Sequence, residues 1–432
     1  MHRSGWKTAL FLTILFLVVY NSTNWLAAHR AHVPTYYFQW ERHIPFVPIF
    51  IIPYMSIDLF FIAAPFLCRS ERERRTLSNR IVAGILIAGL CFLLFPLRFA
   101  FERPHVEGPL GVIFNNFRSF DQPFNQLPSL HITLRTILAV FYVHRFSGLL
   151  KWSLRLWFSL IGFSTVLTYQ HHVIDALGGF ALGALCIYFF ADEPMRSPVT
   201  KNPKIGGYYM LVALVCGVLG FWLEPVGLIL LWPAVAFAIA STAYFGVGPG
   251  IFRKKDGKLP PITFVILWPV LLPQRLSLLF YSAQADPWNE LTDRVWIGRK
   301  LSYLEAKNAV DRGVSAVLDL TCEFTEPRPF RNVLYKQLAI MDLTAPTPGQ
   351  LQEAIHFISS HARNGIVYVH CKAGYSRTAC VAGAYLLASG KASSLEQVLE
   401  RLRTARPTIV IRPEAMGCLQ RFPVPSLSPG VV

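Results

Sequence analysis

The segment GIVYVHCKAGYSRTACVAGAYLLASG, residues 365–390, decides how the last third of the chain is read. Positions 365–370 are β-branched and aromatic, the pattern of a short buried strand. Positions 371–376 are small or polar. From Arg377 onward the run is rich in alanine and leucine and long enough for a helix. Strand, tight loop and helix in that order set a helix N-terminus, with its unpaired backbone N–H groups, against the end of a strand. Cys371 and Arg377 bracket the loop.

Such a loop is suited to hold a phosphate. Converging N–H groups favour an anion, and Arg377 adds a planar fork matched to phosphate oxygens. Fields of this kind favour thiolates, which makes Cys371 the expected nucleophile. Lys372, Ala373, Gly374, Tyr375 and Ser376 are expected to line the bound phosphate, with Gly374 permitting the turn. Thr378 is placed to hydrogen-bond the sulfur as it leaves a phosphocysteine. The leaving oxygen also needs a proton. Asp342 follows the strand-like VLYKQLAI and is expected on the same sheet edge, as general acid. The eight cysteines show no metal-ligand spacing and no disulfide framework, and this chemistry calls for neither a metal nor a cofactor.

The flanking segments fit an α/β domain beginning near Asp286. RVWIG, VSAVLDL and VLYKQLAI read as further strands. GQLQEAIHFISSHA and SSLEQVLERLRTARP read as helices, the last capped by Ser393 or Ser394. Strands alternating with helices predict a layered α/β fold.

The preceding sequence is of another kind. The chain is 53% hydrophobic and 15% charged, against about a quarter charged in soluble proteins. Apolar runs at 8–27, 44–68, 81–99, 130–147, 153–170, 173–191, 207–224 and 226–247 predict eight crossings of a membrane. The expected architecture is therefore an all-α polytopic membrane domain followed by an α/β domain. Boundaries fall at 1–206, 207–282 (two more crossings and an interfacial or re-entrant piece) and 283–432. The net charge of +16 comes largely from alternate linkers. They carry Arg69, Arg72, Arg74, Arg75 and Arg80; Arg145, Lys151 and Arg155; Arg196, Lys201 and Lys204; and Arg253, Lys254, Lys255 and Lys258. That is the positive-inside pattern, which predicts an integral protein of the inner cell membrane with both termini cytoplasmic. Segments 28–43 and 100–129 and the turn near Glu224 then face outward. The pattern argues against nucleic acid as the reason for the charge. PPITFVILWPVLLP, residues 260–273, is short and rich in proline and is expected to be interfacial or re-entrant. As a ninth crossing it would place the last third outside.

A second constellation lies in the membrane part. LPSLH puts Ser129 and His131 at the start of a helix, and YQHHVID puts His171 and Asp175 four residues apart. Arg98 and Arg103 follow the third apolar run, and Arg135 lies one turn after His131. Ionisable groups in apolar segments are costly and mark function. His171 is expected to attack phosphorus, Asp175 to hold its tautomer, and His131 to protonate the leaving oxygen. Ser129 and the three arginines would bind the phosphate. His172 receives no role.

Two resemblances follow from these residues. Residues 283–432 resemble a dual-specificity-type cysteine phosphatase. VYVHCKAGYSRTACVAGAYLL, DLTAPTPGQLQEAIHFI and IVIRPEAMGCLQRF are most similar to the branch that contains the mitochondrial phosphatidylglycerophosphate phosphatase. Lys372 is shared with phosphoinositide phosphatases of that superfamily, whereas Tyr375 stands where a basic residue is expected. The resemblance implies nucleophile, phosphate-binding, acid and thiolate-release roles for Cys371, Arg377, Asp342 and Thr378. Residues 44–191 resemble a PAP2-type membrane phosphatase domain, in its sphingolipid-synthase-like branch, through IPFVPIFIIPYMS, ERP at 102–104 and PSLH. The pattern departs at Pro96 for a lysine, Leu130 for a glycine and Thr165 for an arginine, while Ser164, His171 and Asp175 are kept. The whole chain resembles bacterial membrane fusions of these two domains.

The sequence thus predicts a bifunctional membrane phosphatase acting on membrane lipids, with a lipid headgroup phosphate as the favoured cytoplasmic substrate. The alternative is a membrane-anchored phosphoprotein phosphatase whose PAP2-like part only binds lipid.

Overall fold

The computed structural model describes residues 2–120, 122–191, 197–223 and 225–422. Arg196 and Glu224, named above in the linkers, lie outside them. The chain forms two compact units, 1–192 and 193–432.

The first unit is helical: α1 His2–Ala28, α2 Ile51–Leu67, α3 Glu71–Leu94, α4 Gly108–Phe120, α5 Leu130–Arg145, α6 Gly148–Leu167 and α7 Val173–Phe189. Helices α3 and α5 start where side chains satisfy free N–H groups. Ser70 accepts from Glu73 N, and Ser129 accepts from Ile132 N. Close packing of α5 on α7 requires Gly179 and Gly183. A Cβ on either would lie within 3 Å of α5 atoms. Helix α4 stands in a stretch that the sequence reading treated only as an outward loop.

The second unit begins with α8 Pro203–Trp222, α9 Leu231–Thr242 and α10 Pro261–Ser282. Among the described residues, six helical stretches are long and apolar enough to cross a membrane: Gly5–Ala28, Pro48–Leu67, Glu71–Leu94, Pro203–Trp222, Val226–Val247 and Pro261–Ser282. The expected runs at 130–147, 153–170 and 173–191 form α5, α6 and α7, which fall outside that set. The count of eight is therefore not reproduced. Run 260–273 is not a short piece either: the helix continues through Pro269 and Pro273 to Ser282.

A five-stranded mixed sheet follows, made of β1 Trp288–Thr292, β2 Val295–Arg299, β3 Val314–Asp319, β4 Leu334–Gln337 and β5 Ile366–Cys371. Its order is β1-β2-β5-β3-β4, antiparallel only at β1–β2. Helices α11 Tyr303–Asp311, α12 Arg328–Arg331, α13 Pro348–His361, α14 Ser376–Ala388, α15 Leu395–Ala405 and α16 Pro413–Gln420 complete it. Ser302 with Glu305, and Thr347 with Gln350, form capping boxes. Ser394 caps α15.

Helix α14 is central. Its residues from Arg377 to Leu387 are buried. Val381 and Leu386 have no exposed surface, and burying such side chains contributes about 1.5–3 kcal/mol each. Gly383 lets Val398 and Leu419 close over it, since a Cβ there would lie 2.9 Å from each. Strand β5 runs between β2 and β3, so its C-terminal end opens at the middle of the sheet edge, where α/β proteins bind ligands.

Candidate active site

Strand β5 ends at Cys371 and α14 begins at Ser376, which leaves four residues to turn the chain. Gly374 makes the turn with φ +70°, and a Cβ there would lie 2.5 Å from the Gly298 carbonyl carbon. The loop carbonyls are taken up on its outer side. Lys300 N donates to Lys372 O (3.1 Å), and the buried Arg406 donates to Ala373 O (3.2 Å). Arg406 also donates to Asp286 O and to Asn289 Oδ1. With the carbonyls held outward, the loop N–H groups are left for the cleft.

That cleft has a volume of about 60 Å³ and is lined by Cys371, Lys372, Tyr375, Arg377, Asp342 and Tyr281, among others. Cys371 and Arg377 are each 3% exposed. The Arg377 guanidinium is gripped by Glu323, at 2.7 and 3.3 Å, and donates to Ile340 O at 2.9 Å. Glu323 was not found from the sequence. The signal lay in TCEFTEP: a carboxylate in the loop that follows a buried strand needs a cation. Burial pushes the Glu323 carboxyl up, but the charge and hydrogen bonds of Arg377 bring it below its ordinary value.

Asp342 meets the loop directly. Its Oδ2 accepts from Lys372 Nζ at 2.7 Å, and its Oδ1 lies 3.4 Å from Arg377 Nη2. Burial raises its pKa, and Arg377 and then Lys372 outweigh this, holding it at about 2. Thr378 is fully buried, and its hydroxyl has no hydrogen-bond partner among the described atoms. Ser376 also lines the cleft, and its hydroxyl donates to Val410 O and accepts from Arg412 N. Tyr375 stands edge-on to Tyr281 of α10, with centroids 5.5 Å apart.

Behind Cys371, His370 Nε2 lies 3.8 Å from Asp319 and 3.5 Å from Glu326. The three groups are close enough to share a metal ion. Two lysines already balance their charge, however. Lys254 donates to Asp319, and Lys300 Nζ lies 3.7 Å from Glu326. Burial raises the Asp319 pKa, but Lys254 and His370 drive it well below the usual carboxylate range.

In the first unit, His171 is buried and His131 half-buried, and His131 stacks on Tyr54 with centroids 4.1 Å apart. Asp175 caps α7, accepting from His172 N at 2.8 Å, and its Oδ2 lies 3.9 Å from His171 Nδ1. His131 Nε2, His171 Nδ1 and Asp175 Oδ1 are buried without hydrogen-bond partners among the described atoms. His172 is fully engaged. Its Nε2 accepts from Ala100 N, so Nδ1–H donates to Glu41 Oε2 at 3.1 Å. Arg135 donates to Phe158 O on α6, Arg103 lies over the Phe99 ring, and Arg98 is exposed.

Residues 295–423 match the model of the dual specificity phosphatase catalytic domain. Over 151 residues the chain is 36% identical to phosphatidylglycerophosphatase and protein-tyrosine phosphatase 1 of Mus musculus, a stretch covering 32% of this chain and 78% of that protein. The chain belongs to the dual-specificity phosphatase family. Phosphatidylglycerophosphate phosphatase PTPMT2 of Arabidopsis thaliana is 25% identical over 167 residues, 37% of this chain and 72% of that one. A tyrosine-protein phosphatase CDC14 homolog of Schizosaccharomyces pombe is 30% identical over 103 residues, 23% of this chain and only 19% of its own length. A solved structure of PTPMT1 in complex with PI(5)P aligns at 26% identity over 32% of this chain and 94% of that one, with a TM-score of 0.30. The dual-specificity phosphatase domain makes the chain a phosphatase, and its branch is the one that resembles the phosphatidylglycerophosphatases. Its helical N-terminal region, with several apolar helices, fits a membrane protein.

Proposed function

We propose that the Cys371 centre removes the phosphomonoester of a membrane lipid headgroup, of the phosphatidylglycerophosphate type. The observation that carries this reading is the contribution of apolar helices to the cleft. Tyr281 of α10 lines it, Gln274 of α10 holds Lys372 at 2.8 Å, and Tyr244, just past α9, donates to Asp342 O at 3.1 Å. Relatives named for phosphatidylglycerophosphate support it.

The reaction runs in two steps. The Cys371 sulfur attacks phosphorus while Arg377 and the loop N–H groups hold the equatorial oxygens. An incoming dianionic phosphate takes over Arg377 and Lys372 from Asp342 and adds negative charge beside it. Both changes raise the Asp342 pKa, so the carboxyl carries a proton to the leaving alkoxide. Water then attacks the phosphocysteine, Asp342 accepts its proton, and Thr378 donates to the departing sulfur.

In the first unit, the unsatisfied His131, His171 and Asp175 atoms support a second, PAP2-like site. There His171 attacks a lipid phosphate and His131 serves the leaving group. The basic linkers support a cytoplasmic phosphatase domain in the inner membrane, to be tested by a C-terminal reporter fusion. The deciding experiment is phosphate release from a panel of phospholipids and phosphopeptides by the whole chain, its Cys371→Ser variant and its His171→Ala variant. Lipid turnover lost in Cys371→Ser is the expected result. Turnover of phosphopeptides alone would make the chain a phosphoprotein phosphatase.

A further inference from the structure

By length and composition alone, α10 is fit to cross a membrane. Its flanks contradict that. Just before it, Lys254 donates to Asp319 and to Thr321 O, Glu326 N donates to Gly257 O, and Leu259 N donates to Thr325 Oγ1. Toward its other end, Gln274 accepts from Lys372 and Tyr281 packs on Tyr375. Immediately after it, Arg299 donates to Ala285 O. Both ends are therefore held by one α/β domain. A 22-residue helix is about 33 Å long, and a hydrocarbon core is about 30 Å thick. A crossing helix would require this single domain to bond to chain on both sides of the bilayer.

The faces of α10 agree. Gln274 and Tyr281, seven residues apart, share one face, together with the buried Thr263, Ile266, Leu267 and Val270. Val265, Leu272, Leu276, Leu279 and Phe280 are 38–66% exposed and lie about 180° away at 100° per residue. One face is protein-packed, and the opposite face is an uninterrupted apolar stripe.

We infer that α10 lies in the plane of the membrane, its Val265–Phe280 stripe in the acyl boundary and its Gln274–Tyr281 face forming one wall of the catalytic cleft. Gln274 is a positioning residue: it holds Lys372, which holds Asp342. Tyr281 with Tyr375 borders the route by which the phosphate of a bilayer-resident phosphomonoester reaches Cys371. The location of α10 stands on the contacts above, and the route rests on the lipid reading proposed for the site.

Two measurements on the whole chain in lipid nanodiscs separate these statements. Nitroxide labels on Val265→Cys, Leu272→Cys and Leu279→Cys, with labelling of the native cysteines subtracted, report depth. An in-plane helix gives one shared depth. A change of about 10 Å per seven-residue step would overturn the assignment whatever the substrate. The second measurement uses Leu276→Glu/Leu279→Glu, which lies outside the cleft. Turnover of vesicle-embedded phosphatidylglycerophosphate is expected to fall at least tenfold, with hydrolysis of a soluble aryl phosphate unchanged. Retained lipid turnover, or an equal loss on both substrates, would overturn the route. A wild-type chain that hydrolyses aryl phosphate but no lipid would sink the lipid reading and leave the depth result standing.

Discussion

Lys254, in the loop between α9 and α10, is bonded to Asp319 at the end of β3, and neither side chain is more than 1% exposed. A residue assigned by sequence to a membrane linker is thus an internal counter-ion of the phosphatase domain. The boundary drawn at 283 cuts through a buried ion pair.

Removing one partner of such a pair leaves an uncompensated charge and costs about 3–5 kcal/mol. Lys254→Met is expected to destabilise the second unit by that order, with part of the loss restored in Lys254→Met/Asp319→Asn. Chemical denaturation of the whole chain in detergent, followed by near-ultraviolet dichroism, checks it. A double variant no better than the single would refute the pairing.

Asp342→Asn removes the proposed proton donor and keeps the shape. Hydrolysis of alkyl phosphates, whose leaving groups are poor, is expected to fall about 10²–10⁴-fold, and hydrolysis of activated aryl phosphates much less. Steady-state rates on the two classes decide it. Equal losses would remove Asp342 as the acid.

The depressed Asp342 pKa also fixes a direction with pH. Unfolded, this carboxyl titrates near its ordinary value of about 4; folded, near about 2. Its pairing therefore stabilises the fold above the ordinary value and is lost as pH falls toward the folded one. Lys372→Met takes away one of the cations that depress it. Acid unfolding of this variant is expected at a higher pH than in the wild type, which a pH titration of tryptophan fluorescence would measure.

Glu323→Gln exchanges the charged grip on Arg377 for a neutral one. A charge-assisted hydrogen bond contributes about 1.5–3 kcal/mol, so kcat/KM is expected to fall about ten- to hundredfold on lipid and aryl substrates alike. Loss on only one substrate class would show that Glu323 selects substrate instead of orienting Arg377.

The catalytic loop was legible in the sequence because its information is local: strand, glycine turn and helix lie within one contiguous stretch. Asp342 was legible for a related reason, as a carboxylate just past a strand. Long-range partners were not. Glu323, Lys254 and Arg406 act across 54, 65 and 33 positions, and no periodicity marks such pairings. Strand β1, WNELT, is half-buried and lacks apolar alternation, so it gave no strand signal. The four-residue spacing of His171 and Asp175 does not reveal that a helix start falls between them. In the fold α7 starts at Val173, so His171 precedes it and Asp175 serves as its cap. The length of α10 was misjudged because Pro269 and Pro273 look like breaks, yet the helix runs through both.

Arg406 ties Ala373 in the cradle to Asp286 and Asn289 beyond α10. This gives the protein a timetable. The guanidinium leaves the ribosome only after α14 and α15 have followed Cys371 out, when the six long apolar stretches described above have already emerged. Until then Ala373 O lacks its outer partner, and only Lys372 O is held, by Lys300 N. The loop at Cys371 is thus completed late in synthesis, on a chain whose long apolar helices have already been made.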